Sequence, residues 1–263
     1  MIVGGEFVLP GISELKTFRG RQVLTGSTVH SLHRMSQPQE KLAGLALIPV
    51  VFTILYYFLP QEFQRILWVQ FLPQISAYAC LGVWAYRNDN VVMRLGLGLE
   101  GKCLACRWGV GVGLVLGVLN TFVILWMVPA LGGEIFFLKD IPHAKVPTLV
   151  MVPWFIMAIA IAVELNFRGF LLGRLLVLVN QLGPGTAGLM AKAQAAMAIG
   201  GSALVFSFDP FMVSTFQRLH WIAVWDGMIW GVMWVRWRNL YAVIVAHAIE
   251  VVILYLWVKN ALT

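Results

Sequence analysis

The chain has 263 residues, of which 60% are hydrophobic and only 12% are charged. Soluble domains carry about 25% charged residues, so this composition excludes an ordinary soluble domain. The net charge is +7, but the basic residues stand beside long apolar runs and do not form a tract of their own. We therefore expect the lipid bilayer as a partner and no nucleic acid.

Several uncharged, mostly apolar runs are long enough to cross a membrane, which takes about 20 residues in a helix. The first four are Leu42–Gln61, Ile66–Tyr86, Trp108–Gly133 and Val146–Val163. A short amphipathic or half-inserted helix is expected over residues 169–181, and the part from residue 192 to 258 holds roughly three more runs. The sequence therefore predicts an all-α fold, a polytopic membrane helix bundle of about seven to eight spans.

The distribution of basic residues predicts how the chain is oriented. We divide it into an N-terminal arm, residues 1–41, and a membrane domain, residues 42–263. Basic residues are frequent in the arm and in the connection after the second run, and rare in the first and third connections. By the positive-inside rule, the N-terminus of this multi-pass protein is cytoplasmic. The first ten residues lack the basic flank of a signal peptide, so internal spans are expected to direct insertion.

The three cysteines, Cys80, Cys103 and Cys106, do not suggest a disulfide framework. The spacing of Cys103 and Cys106 is typical of half a zinc site, and His30 with His33 would supply the other half, since zinc accepts two Cys and two His ligands. The two pairs lie far apart in the sequence, so unligated side chains are the simpler interpretation. We expect no cofactor, with zinc as the alternative.

Two further patterns suggest helix contacts. Gly109, Gly113 and Gly117 lie on one face of the third run and would let another helix approach closely. Packing inside the bundle is favoured over a dimer contact. In the tryptophan-rich segment before the last run, Trp221 and Trp225 face one side, and the other three tryptophans face roughly the opposite side. Interfacial anchoring is the ordinary interpretation, and packing on a lipid or pigment is the alternative.

Ionisable residues inside membrane spans are costly unless they are paired or functional. Glu164 and Arg168 stand four residues apart at the end of an uncharged run, so they lie on one helix face and can form a structural pair. The later runs hold further ionisable residues, namely Asp226, His247 and Glu250. A carboxylate and an imidazole in a dry pocket can activate a water, so Glu164 and His247 are the candidate catalytic residues if they meet.

Residues 90–258 resemble the CPBP family of intramembrane endopeptidases, the CAAX-processing and bacteriocin-processing proteases also called Abi proteins. That family has the motif Glu-Glu-x-x-Phe-Arg-Gly, followed by Phe-x-x-x-His and later by His-x-x-x-Asn. Residues 163–169, 202–206 and 239–248 are similar to these motifs in the same order. The resemblance implies a water activated by the first Glu and the first His, and an oxyanion stabilised by the second His and the Asn. Older descriptions of the family treat it as a metalloprotease.

Three of the four catalytic positions that the resemblance implies are substituted. Val163 stands at the position of the first Glu, Pro210 at that of the first His, and Val251 at that of the Asn. Only His247 is retained. Because valine and proline side chains neither accept a proton nor donate a hydrogen bond, a water at such a site would lose its base.

Two residues would act as helpers if the site is active. His220 follows Phe216 at the spacing of the second motif, displaced by ten residues. Glu250 lies three residues after His247, on the same helix face. Either would complete a catalytic set with Glu164 and His247.

These observations predict a CPBP-family protein with a degenerate active site, a pseudoenzyme that binds or scaffolds in a membrane complex. Its partners would be membrane proteins or a hydrophobic peptide. The alternative is an active intramembrane endopeptidase that cleaves membrane-associated peptides, as in CAAX-like or leader-peptide processing. A small transporter with Asp226, Glu164 and Glu250 along a cation path is a third interpretation, but no internal repeat supports it.

Overall fold

The computed structural model describes residues 40–182 and 188–262. The described residues form helices and no β-strand, which confirms the predicted all-α class. The principal helices are α1 (Leu47–Tyr56), α2 (Leu67–Arg87), α3 (Lys102–Ala130), α4 (Thr148–Gln181), α5 (Leu189–Ser207), α6 (Pro210–Phe216), α7 (Ile222–Trp237) and α8 (Leu240–Leu262). Short helical turns connect them at Ala43–Ala46, Gln61–Gln64, Val91–Arg94, Phe136–Lys139, Pro142–Lys145 and Gln217–Leu219. Except for its last two residues, the predicted N-terminal arm lies outside the described residues.

Within the described part of the chain, three helices are long and apolar enough to cross a membrane, namely α3, α4 and α8. A fourth span is possible if α5 and the bent segment that follows it, at 55° to each other, are one broken span. This confirms an integral, multi-pass membrane protein. The predicted number of about seven to eight spans holds only approximately, because helices such as α1 and α7 are short.

Helix α4 is longer than the sequence predicted. The expected separate short helix over residues 169–181 is wrong, because the helix continues from Thr148 to Gln181. It passes through two wider, π-type turns at Met151–Phe155 and Leu165–Leu172. The charged residues of this helix are buried inside the protein, where other polar groups surround them, so they do not end the helix.

The glycine face of α3 packs against α8. A Cβ added to Gly113 would lie 2.6 Å from the carbonyl oxygen of Ala246, and one added to Gly117 would lie 2.8 Å from Cδ1 of Ile253. Gly109 meets the backbone of α8 in the same way. Because glycine has no side chain, the two helix backbones approach closely along one seam. The predicted packing inside the bundle is confirmed, and this face is not available to a partner.

The tryptophans of α7 divide as predicted. The rings of Trp221 and Trp225 contact each other with centroids 4.8 Å apart. On the other side, Trp230 and Trp234 are buried in the core, and Trp237 is partly buried. The buried tryptophans therefore fill the protein interior rather than a surface for a lipid or pigment.

The end of the bundle where α3 and α8 begin holds an ion cluster around Glu40. Its carboxylate lies 3.0 Å from Nη1 of Arg94, pairs with Nε of Arg174 and accepts a 2.9 Å hydrogen bond from Nε1 of Trp84. The guanidinium of Arg174 also lies over the Trp84 ring, 4.1 Å from its centroid. Since Arg174 is only 2% exposed, Glu40 supplies the counter-charge that this burial requires.

The glycine seam gives a test of packing on α3. Gly113→Ala should lower the free energy of unfolding by about 1–3 kcal/mol, because the added methyl group overlaps the α8 backbone. The matched control is Gly111→Ala, since nothing lies within 4 Å of a Cβ at that position. The control should be neutral or stabilising by up to about 1 kcal/mol. Unfolding of the purified protein in detergent, followed by circular dichroism, measures both; equal effects would contradict the seam.

The ion cluster gives a second test. Glu40→Gln should lower the free energy of unfolding by about 3–5 kcal/mol, because it leaves the buried guanidinium of Arg174 without a counter-charge. Glu62→Gln removes an exposed carboxylate and should change it by less than about 0.5 kcal/mol. The same unfolding experiment compares the two variants. Similar stabilities would show that Glu40 is not needed for the burial of Arg174.

Candidate functional site

Glu164 and Arg168 lie on α4 where the helix widens into its second π-type turn. Such turns are frequent at functional sites. Both side chains are fully buried, with 0% exposure, and Nη1 of Arg168 donates to Oε1 of Glu164 at 3.3 Å. The ion pair that the spacing predicts is therefore present, and it lies in the interior rather than at a membrane surface.

Helix α8 brings His247 to the same carboxylate. Its Nδ1 lies 2.8 Å from Oε1 of Glu164, and the residue is 6% exposed. Asn239 caps the start of α8 by accepting a hydrogen bond from the backbone N–H of Tyr241 at 3.0 Å, which satisfies a free N–H at the helix start. About two turns further on, the helix places the imidazole against α4. We call Glu164 and His247 the Glu–His pair.

Aromatic rings enclose this site. The Trp230 ring lies nearly parallel to the His247 imidazole, with centroids 4.4 Å apart and 19° between the planes. The Arg168 guanidinium lies over the rings of Phe206 and Trp230, at 4.6 and 5.0 Å from their centroids. A cation over an aromatic ring in a dry interior gains roughly 0.5–2 kcal/mol per contact. The rings therefore stabilise the buried guanidinium and close the site.

A second polar cluster lies beside it and joins α3, α7 and α8. Nδ2 of Asn120 lies 3.1 Å from each carboxyl oxygen of Asp226 and 2.7 Å from Oε1 of Glu250. Nε1 of Trp225 donates to Oδ1 of Asn120 at 3.0 Å, which assigns the orientation of the amide. Asn120 was not among the residues predicted from the sequence. The signal was there, since a lone amide inside an apolar run demands a polar partner.

The three residues that the motif resemblance places at catalytic positions have apolar surroundings or a structural role. Val163 and Val251 pack against the hydrophobic core. Pro210 is buried in the first turn of α6, where proline suits a helix start. The preceding Asp209 caps that helix by accepting from the backbone N–H of Phe211 at 3.0 Å. Asp209 and Pro210, which follow the residues similar to the second motif, therefore form the N-terminus of α6.

Neither of the predicted helpers contacts the Glu–His pair. Glu250 accepts from Asn120, as described above. His220 lies in the turn before α7, where its ring packs edge-on against Phe208 with centroids 5.2 Å apart. Its Nδ1 lies against the carbonyl oxygen of Gln217, and its backbone carbonyl oxygen accepts a hydrogen bond from the hydroxyl of Ser207 at the end of α5. The structure brings together Glu164, Arg168 and His247, with Glu250 nearby and His220 elsewhere.

The residues do not fit a metal at the Glu–His pair. Within the described part of the chain, no three His, Cys, Asp or Glu side chains are grouped so that they could hold a metal ion. The adjacent Arg168 guanidinium would also repel a bound cation. Cys103 is exposed and Cys106 partly exposed at the start of α3. His30 and His33 lie outside the described residues, so the zinc site of these four residues stays a prediction.

The fold and this site define an all-α integral membrane protein with ionisable groups at its centre. Residues 145–253 match the family model described as type II CAAX prenyl endopeptidase Rce1-like. The resemblance read from the motifs is confirmed, and this part of the chain belongs to the CAAX protease family, CPBP. The match includes both members of the Glu–His pair. Comparisons with curated proteins and with solved structures gave no match.

The buried ion pair gives a third test. Arg168→Met should lower the free energy of unfolding by about 3–5 kcal/mol, because it leaves the Glu164 carboxylate buried beside only an imidazole. Adding Glu164→Gln removes that charge while the new amide still accepts from His247, so the double variant should regain a large part of the loss. Chemical unfolding of the two single variants and the double variant gives the coupling energy. Additive effects would show that the two charges do not stabilise each other.

Proposed function

We propose that this protein is a non-catalytic member of the CAAX protease family, a membrane-embedded pseudoprotease that works by binding. The observation that carries the proposal is the set of residues at the family's catalytic positions. Val163, Pro210 and Val251 pack as apolar or helix-starting residues. Only His247 remains there, and its Nδ1 is bonded to Glu164.

The state of Glu164 supports this function. A general base must reach a water and a substrate in hydrogen-bond geometry. The Glu164 side chain is 0% exposed, and its Oε1 is contacted by both Arg168 and His247. Such a carboxylate holds α4 to α8, and its complete burial leaves no access for a peptide. In this function, the Glu–His pair and Arg168 stabilise the contact between α4 and α8 and do not take part in a reaction.

The binding surface would be the outside of the bundle. The glycine seam and the buried tryptophans face the interior, so they do not serve as the contact surface for a partner. The long spans α3, α4 and α8 present large apolar side chains outward, for example Val118, Trp154 and Trp257, which are 63%, 72% and 62% exposed. A membrane-protein subunit or a hydrophobic peptide could lie against such a surface beside the lipid.

An active intramembrane endopeptidase is the second candidate, and two observations favour it. Glu164 and His247 meet at 2.8 Å, although they belong to different helices. The other carboxyl oxygen of Glu164, Oε2, is buried and has no hydrogen-bond partner, and a water could occupy such a position. On this interpretation, Glu164 would be the base and His247 would position the water or the oxyanion.

A cleavage assay separates the two functions. Wild-type protein and Glu164→Gln, both reconstituted in liposomes, are incubated with prenylated CAAX-type peptides and with leader-type peptides. The non-catalytic function predicts no cleavage above the protein-free control for either protein. Cleavage by the wild type that falls by about 100-fold or more in Glu164→Gln would overturn it, since removal of a general base has effects of that size. Co-purification of a stoichiometric membrane protein with both proteins would identify the partner.

A further inference from the structure

The centre of the bundle has a surplus of acidic groups. Three carboxyl groups, those of Glu164, Asp226 and Glu250, interact electrostatically with the single guanidinium of Arg168. Each of these residues is at least 95% buried, with exposures of 0%, 5%, 3% and 0%. Among the residues that the structure describes, His247 is the one other ionisable side chain hydrogen-bonded to any of them, through Glu164. Even a doubly protonated His247 would leave one negative charge without a counter-charge, and such a charge is costly inside a membrane protein.

The surplus charge belongs to Asp226 and Glu250. Glu164 has the Arg168 guanidinium and the His247 imidazole against its Oε1. The other two carboxyl groups instead share one neutral amide, that of Asn120. An amide donates hydrogen bonds but carries no charge. Two carboxylates within reach of one nitrogen cannot both be ionised at low cost, since like charges at this distance repel strongly.

Several buried polar atoms beside Asp226 and Glu250 have no hydrogen-bond partner. Oε2 of Glu250 is buried and has no hydrogen-bond partner, and the same is true of Nε and Nη2 of Arg168. Arg168 reaches the Asp226 side of the site, because a Cβ added to Gly227 would lie 3.2 Å from its Nη2. Buried polar atoms are normally bonded. A hydrogen on Oε2 of Glu250 would turn an orphan acceptor into a donor.

We propose that Asp226 and Glu250 form a proton-binding site, in which the two carboxyl groups hold one proton between them. The proton is carried as an O–H group on Glu250 and shared with the ionised carboxylate of Asp226. Asn120 orients both groups, with one N–H directed to each, and Trp225 fixes the amide. The remaining negative charge of the pair interacts with the guanidinium of Arg168, whose Nε and Nη2 have no hydrogen-bond partner. This site uses other side chains than the Glu–His pair, so it does not depend on the proposed loss of catalysis.

The ionisable neighbours of this site come from two helices. Helix α4 contributes Glu164 and Arg168, and α8 contributes His247 one turn before Glu250. The side chain that α3 contributes is the neutral amide of Asn120. The carboxyl pair is therefore the part of this centre that takes up or releases a proton as a unit.

Infrared spectroscopy tests the site, because a protonated carboxyl group has its own C=O stretching band that shifts when the protein is transferred to deuterium oxide. Wild-type protein in lipid nanodiscs at neutral pH should show this band. Glu250→Gln and Asp226→Asn should each lose it, because the remaining carboxylate then has no second carboxyl group beside the Asn120 amide with which to share a proton. Glu164→Gln and Asp209→Asn serve as matched controls and should retain it. Size-exclusion profiles and circular dichroism check that each variant is folded.

A sodium titration of the wild-type protein completes the experiment and needs no variant. The band should be the same in sodium and in choline buffer. Loss of the band in sodium would mean that a metal cation balances the charge, and it would overturn the proposal. Absence of the band from the wild type, or its persistence in both Glu250→Gln and Asp226→Asn, would overturn it as well.

Discussion

The structure depends on the burial of one guanidinium, that of Arg168, among apolar helices. Its neighbours compensate for the lost hydration in three ways: the Glu164 carboxylate, the aromatic faces of Phe206 and Trp230, and the more distant carboxyl groups of Asp226 and Glu250. A charge in such a place is tolerated only when its surroundings are fixed. The positions of α4, α5, α7 and α8 around it are therefore interdependent.

The same centre shows how the residues that match the family's motifs are held in the packed interior. The motif residues that remain here, Phe167, Arg168 and His247, all make packing or ionic contacts in the interior. Valine fits the apolar surroundings of Val163 and Val251, and proline fits the start of α6. The packing and ionic contacts of the fold therefore account for the presence of Phe167, Arg168 and His247.

Much of this could be predicted from the sequence. Composition and apolar runs indicated the all-α membrane class, and the spacing of Glu164 and Arg168 indicated their pair. The end of α4 could not be predicted. Charged residues after an apolar run normally indicate the end of a membrane helix, and the partners that allow Glu164 and Arg168 to be buried were not known. The role of Asn120 and the cluster around Glu40 were missed for the same reason. Their partners lie more than 40 residues away in the chain, so the local sequence does not show which residues they bind.

The Glu40 cluster has a consequence for how the protein is assembled. Glu40 leaves the ribosome more than a hundred residues before Arg174, its partner on α4. Until that helix has been inserted, the early carboxylate has no guanidinium from α4 to bind, and the hydrophobic bundle remains open at this end. Pairing of the two therefore joins the beginning of the membrane domain to its middle. Helices α5 to α8 follow Arg174 in the chain, so this contact can form before the rest of the bundle has been added.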